Sequence, residues 1–398
     1  MVRAVTPNLD SIDVEEVRRS FANIDDMVYL NTGTEGLAPR PVLDKLIELT
    51  TYCETQGQAS IEVSRALIET ARERVAQFLG VEASTIGFAE NATEAVNWVA
   101  SSLDFNPGDE VLLSLNEHPA MNFPWTYQRN LGRVSLNWFE ISSDPDETLA
   151  NIRNGITART RLIALSHVER HQGRRVPAKR ICELAADAGV LVLLDGAQAL
   201  GQFPVDLGDL DVDFYAGNGH KWLCGPRGTG VFYAKDERLS LLTQRHVGVG
   251  STESPSDWDR AGGPTLREEA RRFEYGTRDR ATLGAMGPTI DWIEGLGFDA
   301  IQSRMAALAS VVRDRANERG WHVSSPASWE AGSALVSFQV PGADGFALRK
   351  YLAEERNTWI SHNFAGEVRV STHYFNTVEE IDRAFGEMDF YLKQRRAA

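Results

Sequence analysis

Cysteine is scarce in this chain. Its 398 residues include three, Cys53, Cys182 and Cys224, far apart and with no CxxC pair. That excludes a disulfide framework and a sulfur-ligated metal centre, and it fits a reducing cytoplasm. No metal is expected. Long apolar runs are missing too: the longest aliphatic stretches are strand-length, such as Val190–Leu194, far too short to span a bilayer. Met1–Glu16 carries four acids and no apolar run, so no secretory signal is expected there. Basic charge is in deficit. Lys and Arg number 41 against 56 Asp and Glu, a net charge of −15. Phosphate backbones need the opposite surface, so a general nucleic-acid binder is excluded. There is no internal repeat and no low-complexity segment. A cytoplasmic protein with no membrane and no nucleic-acid partner is the expectation.

What is present suits a soluble enzyme. Hydrophobic residues are 42% and charged residues 24%, enough for an ordinary core without disulfides. The length suits one large unit with a smaller partner. After an N-terminal arm (1–30), helical spacing marks Pro41–Thr55 and Glu62–Leu79. Strands are expected at Thr85–Ala89, Glu110–Leu115, Val134–Phe139, Arg161–Ser166, Val190–Leu194, Asp213–Ala216 and Gly230–Tyr233. Helices fall between them, at Asn91–Leu103, Ala120–Asn130, Thr148–Asn154 and Pro177–Ala188. Asn91 can cap the first of these, with Glu94 in a capping-box position. Alternation with short turns implies a mostly parallel, seven-stranded α/β sheet covered on both faces. Gly248–Arg271 reads as a long functional loop. Helices at Ala281–Leu296 and Phe298–Arg319 follow, then a small α+β tail (strand 334–340, helix 344–356, strand 366–371, helix 378–394). The expected division is an arm 1–30, a large unit 31–285 and a small C-terminal unit 286–398.

Five polar sites fall just after predicted strands: Asn91-Ala92-Thr93, Glu117-His118, Ser166-His167, Asp195 and Lys221. In open α/β sheets, ligands bind at that edge. Taken singly, each has an ordinary explanation. Asn91 is a plain N-cap, Asp195 caps a turn, His118 sits in a loop and Lys221 is a surface lysine. Together they form a constellation. An apolar strand ending in Asp195, followed by Lys221 in the Gly-rich turn Asn218-Gly219-His220-Lys221, suits pyridoxal 5'-phosphate. The lysine carries the aldehyde as a Schiff base, and the Asp keeps the pyridine nitrogen protonated. The helix start at Ala92-Thr93 suits the phosphate.

These motifs resemble the class V aminotransferase family of fold-type I pyridoxal-phosphate enzymes, over almost the whole chain. The resemblance rests on Asp195-Gly-Ala-Gln198, on His220-Lys221-Trp222-Leu223 with Gly225-Pro226-Arg227-Gly228, on Phe273-Glu274-Tyr275-Gly276-Thr277-Arg278-Asp279, and on Arg369 through Thr377. It implies the following roles. Lys221 is the Schiff-base lysine and proton shuttle. Asp195 partners the ring nitrogen, Gln198 donates to the ring hydroxyl, and His118 stacks on the ring. Ala92, Thr93, Asn218 and His220 contact the phosphate. Gly276 and Thr277 reach the phosphate of a second subunit, which implies a homodimer. Arg369 grips the substrate carboxylate. Thr32, Glu35, Arg170, His171 and the 248–271 loop are candidates for the substrate side chain.

Departures from the pattern bear on the reaction. The desulfurase branch carries a catalytic Cys on a lid before the carboxylate-binding Arg. Ile360-Ser-His-Asn-Phe-Ala-Gly-Glu-Val-Arg369 is short and has none. Arg170 stands where desulfurases carry an Asn, and Asn218 replaces a common Ser. The wording is similar to the isopenicillin N epimerase-like branch, which includes C–S lyases. Elimination of a thiol from an S-substituted L-cysteine is the first expectation. Aminotransferase or epimerase chemistry is the alternative, then a decarboxylating or oxidative variant. A non-catalytic sensor comes last, because Lys221, Asp195 and Arg369 are all retained.

Overall fold

The computed structural model describes residues 5–254 and 263–397. Its first strand, β1 (Val28–Tyr29), stands apart from the main sheet. The main sheet is built from β2 (Ile86–Ala89), β3 (Glu110–Ser114), β4 (Ser135–Phe139), β5 (Thr160–Ser166), β6 (Leu191–Asp195), β7 (Phe214–Asn218) and β8 (Gly230–Ala234). The order across it is β2-β8-β7-β6-β5-β3-β4. The run from β7 to β4 is parallel; β8 lies antiparallel to both neighbours. The seven strands fall where the alternation of the sequence puts them, and the sheet is mostly parallel as expected.

Successive side chains on a strand face opposite ways, and the core divides accordingly. Leu112, Ile163, Leu165, Val192, Leu194 and Val231 belong to one apolar cluster. Val111, Leu113, Leu162, Ala164, Leu193 and Phe232 belong to another on the other face. Strands buried on both faces need continuous apolar runs, which is why these segments do not alternate with polar residues.

A second sheet carries β9 (Leu335–Phe338), β11 (Ser361–His362) and β12 (Val368–Ser371), in the antiparallel order β11-β12-β9. The two-residue strand β10 (Thr358–Trp359) pairs in parallel with β1. Val28 and Leu30 share a third core with Phe338, Val370 and Phe385. The end of the N-terminal arm is therefore built into the C-terminal unit. Met286, Ile290 and Ile293, beyond the expected boundary at 285, lie in the core of the main sheet. Packing follows apolar faces and takes no account of chain position.

The helix expected over 281–296 is two, Arg280–Gly284 and Met286–Leu296, separated at Ala285, where ψ is −5°. The 248–271 segment holds short turns at Val249–Ser251 and Ala270–Phe273, joined by a Thr252–Leu266 bridge. Its middle, 255–262, lies outside the described residues. Among the described residues, no helix is long and apolar enough to cross a membrane.

Candidate active site

The carboxyl ends of the parallel strands meet at a cavity of about 260 Å³. Ala92, Thr93, Asn218 and His220 line one end. His118, Asp195, Gln198 and Lys221 line the rest, with Ser166 and Arg170. Every cofactor residue expected from within a single chain is thus brought to one place.

Lys221 borders the cavity. Its amine is pushed down to about 8, chiefly by burial; Asp195 opposes this and Arg369 and Arg170 reinforce it. About a tenth of the amine is then neutral at pH 7, far more than for an exposed lysine, which makes it a competent nucleophile and base. Asp195 is 4% exposed. One of its oxygens accepts the Ala197 N–H at 2.8 Å. The other has no protein partner among the described residues. Burial raises its pKa, while the Ala197 bond and Lys221 act against this. A buried carboxylate with one spare oxygen fits a protonated ring nitrogen.

At the other end, helix Ala92–Ser102 begins. Asn91 caps it, its side chain accepting the Glu94 N–H at 3.0 Å. Glu94 reaches back to the Glu90 N–H at 2.6 Å, one residue before the expected capping-box position. The Ala92 N–H donates to Asn218 Oδ1 at 2.7 Å, so this pair is satisfied within the protein. The Thr93 N–H belongs to the first turn, which has no intrahelical acceptor. His220 Nδ1 is buried with no partner. A helix N-terminus beside an orphaned imidazole nitrogen fits a phosphate.

His118 caps helix Pro119–Asn130, Nδ1 accepting the Ala120 N–H at 2.9 Å. Burial pushes its pKa down to about 4, and Arg170, Lys221, His171 and Arg369 push the same way. The ring is therefore neutral at pH 7, with its proton on Nε2, and suited to stacking. Gln198 is tethered at both ends: Nε2 donates to the Gly33 carbonyl at 2.7 Å and Oε1 accepts from Trp222 at 2.8 Å. One amide hydrogen remains for a ring hydroxyl.

Arg369 lies on β12 and is 3% exposed. It donates to the Arg170 carbonyl at 3.0 Å and to Thr34 Oγ1 at 3.1 Å, while its Nε is buried and unpaired. Burial pushes it down to about 10. Thr32 is fully buried, its hydroxyl without a partner, and it is not among the residues lining the cavity. Glu35 pairs instead with Arg227. Gly276 and Thr277 are exposed and do not line this chain's cavity.

Behind Asp195 lies a group to which the sequence reading gave no role. Glu117 accepts the Ser166 N–H at 2.7 Å and the Ser166 hydroxyl. Burial pushes its carboxyl up to about 8 against those bonds, with Asp195 adding to the rise. The His167 Nδ1 and Tyr215 hydroxyl are buried without partners. The available signal was the pairing of a polar residue with His after two strands, Glu117-His118 and Ser166-His167.

No cysteine stands near the β11–β12 turn. Its tip carries Phe364, 75% exposed. Cys224 is buried at φ +58°, 3.8 Å from His373 Nε2, and burial pushes its thiol up to about 12.

Comparison with known proteins gives the chain's family and fold. The family model described as Aminotransferase class-V matches residues 28–384. Isopenicillin N epimerase of Amycolatopsis lactamdurans is 34% identical, over 92% of this chain and 95% of that protein. A probable cysteine desulfurase of Methanothermobacter thermautotrophicus is 29% identical, over 92% of this chain and 95% of its own length. Among solved structures, the apo cysteine desulfurase of Thermococcus onnurineus NA1 superposes with a TM-score of 0.87 at 25% identity, covering 96% of this chain and 98% of that one. The cystine C–S lyase C-DES, in complex with its product cysteine persulfide, gives 0.86 at 26%, covering 92% and 98%.

Proposed function

The chain belongs to the aminotransferase class-V family, and on that premise we propose that it is a pyridoxal-phosphate enzyme that eliminates a thiol from an S-substituted L-cysteine. The cofactor is pyridoxal 5'-phosphate, in keeping with the C-DES variant solved with glycine covalently linked to it. When bound, it supplies an electron sink for charge developing at the substrate Cα.

The protein's own residues do the rest. Asp195, buried behind the ring site, holds a positive charge at the ring nitrogen. His118 offers a neutral face to the ring. The Thr93 N–H at the helix start, the Asn218 side-chain amide N–H and His220 anchor the phosphate, while the Ala92 N–H is spent on Asn218. Arg369 holds the α-carboxylate, and the neutral Lys221 amine takes the proton from Cα. A sulfur substituent at Cβ then leaves with its electron pair as a thiolate.

The observation that carries this reading is one cavity pairing Asp195 with an amine lowered to about 8. Elimination is favoured over sulfur transfer because the β11–β12 turn presents Phe364 and no cysteine. Without a thiolate beside the substrate sulfur, nothing accepts it as a persulfide. The likeness to C-DES, a C–S lyase by name, supports the same choice. Epimerisation is the second reading, supported by the 34% and 33% identity to two isopenicillin N epimerases.

One turnover in heavy water separates them. Elimination gives pyruvate, ammonia and free thiol. Epimerisation gives both stereoisomers carrying deuterium at Cα, with the Cβ–S bond intact. Transamination gives a keto acid with that bond intact. An intact bond in every product overturns the first reading.

A further inference from the structure

Arg170 lines the cavity, and Arg369, bonded to the Arg170 carbonyl, stands close enough to lower the Lys221 amine; one guanidinium is enough for an α-carboxylate. Arg369 uses one hydrogen of each Nη group on Arg170 and Thr34. Its Nε–H and one hydrogen on each Nη remain, a complete fork for bidentate grip. Arg170 is surplus to that task. It lines the cavity. Among the described residues its side chain makes no ion pair and donates no hydrogen bond. Its guanidinium lies 5.1 Å from the centroid of the Phe364 ring, a contact that positions it while consuming none of its donors. His171 packs on the same ring at 5.0 Å.

The carboxylate next in sequence attracts it through space but forms no salt bridge with it. Glu169 is buried, and its oxygens accept the backbone N–H groups of His171 and of Gln172, the latter at 2.8 Å. Burial drives its pKa up. Glu169 acts on both guanidinium groups through its charge, but among the described residues neither forms a salt bridge, and Arg170 turns to the cavity. Such an arrangement is costly until an anion arrives.

We propose that Arg170 binds a second anionic group at the far end of the substrate side chain, so that the substrate is an amino acid with two carboxylates. Phe364 covers the stem between them. This rests on the reading that the site takes an S-substituted cysteine. It adds that the sulfur substituent ends in a carboxylate.

The test uses the pyridoxal-phosphate holoenzyme with S-carboxymethyl-L-cysteine and S-(2-carboxyethyl)-L-cysteine, each against its carboxamide, which has the same shape and no charge. Binding is read by calorimetry and by the change in cofactor absorbance; turnover is read separately as pyruvate release. At least one acid is expected to bind about tenfold to a hundredfold more tightly than its amide, as for one charged hydrogen-bonded pair. In Arg170→Gln that ratio should fall to near one; in Arg170→Lys it should be intermediate. A wild-type ratio near one for both pairs, or no binding by either acid, overturns the proposal. So does an Arg170→Gln enzyme that loses acid and amide equally, because Arg170 would then act on the shared α-carboxylate. A retained preference without pyruvate release leaves this inference standing and removes the elimination reading.

Discussion

Lys221 carries a charge problem that sets its chemistry. Burial lowers its amine to about 8, Asp195 raises it, and Arg369 and Arg170 lower it. Only the neutral amine attacks an aldehyde. Cofactor capture by the apoprotein, followed as visible absorbance, should therefore speed up as pH rises and level off above about 8. Removing a neighbouring cation relieves the ammonium, so Arg369→Gln should move that midpoint to higher pH. A midpoint that stays put or falls removes Arg369 from the amine's surroundings. Lys221→Ala should still bind the cofactor through its phosphate, yet lose the absorbance of the lysine-bound form and all turnover. Arg369→Lys keeps the charge but loses the fork. It should weaken substrate use by about 1.5–3 kcal/mol while leaving cofactor affinity nearly intact. Equal loss of both would make Arg369 structural.

Secondary elements supply the positions that these side chains need. Helix Ala92–Ser102 works at the cavity only if its first turn is held open toward a phosphate. Asn91 does this by capping the Glu94 N–H. Asn91→Ala should cost about 1 kcal/mol of stability by denaturant unfolding and weaken phosphate binding in parallel. A variant as stable as the parent with unchanged affinity would show the cap to be dispensable. Gly230, on β8, backs this helix. A Cβ there would lie 2.6 Å from the Asn91 Cα. Gly36 does the same for the lysine turn, donating its N–H to the His220 carbonyl at 2.8 Å, with a Cβ-to-oxygen distance of 2.0 Å to Lys221 if it were Ala. Gly36→Ala must displace backbone. It should lower cofactor affinity more than Asn91→Ala does, read by the same titration.

At the scale of the molecule, two cores meet across the site. Asp195 comes from the main sheet, Lys221 from the turn that follows its strand β7, and Arg369 from the small antiparallel sheet. Nothing in this chain brings Gly276 or Thr277 to the cavity, and both are exposed. We propose that they complete the phosphate site of a second copy. Light scattering should give a dimer, and dilution that dissociates it should lower cofactor affinity. A monomer with full affinity would contradict this.

The sequence determined the sheet and its ligand edge. Buried parallel strands need unbroken apolar runs, and polar residues such as Asn91, His118, Asp195 and Asn218 can stand only where those runs stop. The same logic made Lys221 legible, because it follows Asp195 at a strand end. Several features depended on tertiary packing. Val28–Tyr29 joins the C-terminal unit because its pairing partner, Thr358–Trp359, lies more than three hundred residues away. Glu117 is an ordinary loop acid until burial beside Asp195 raises it to about 8. Thr32, expected at the substrate, is enclosed away from the cavity lining. Arg170 forms no salt bridge among the described residues, and Glu169 beside it turns its oxygens to its own backbone. Strand ends and apolar runs are local properties of a chain. Burial, unpaired donors and the meeting of two sheets depend on contacts distant in sequence, and the fold alone decided them.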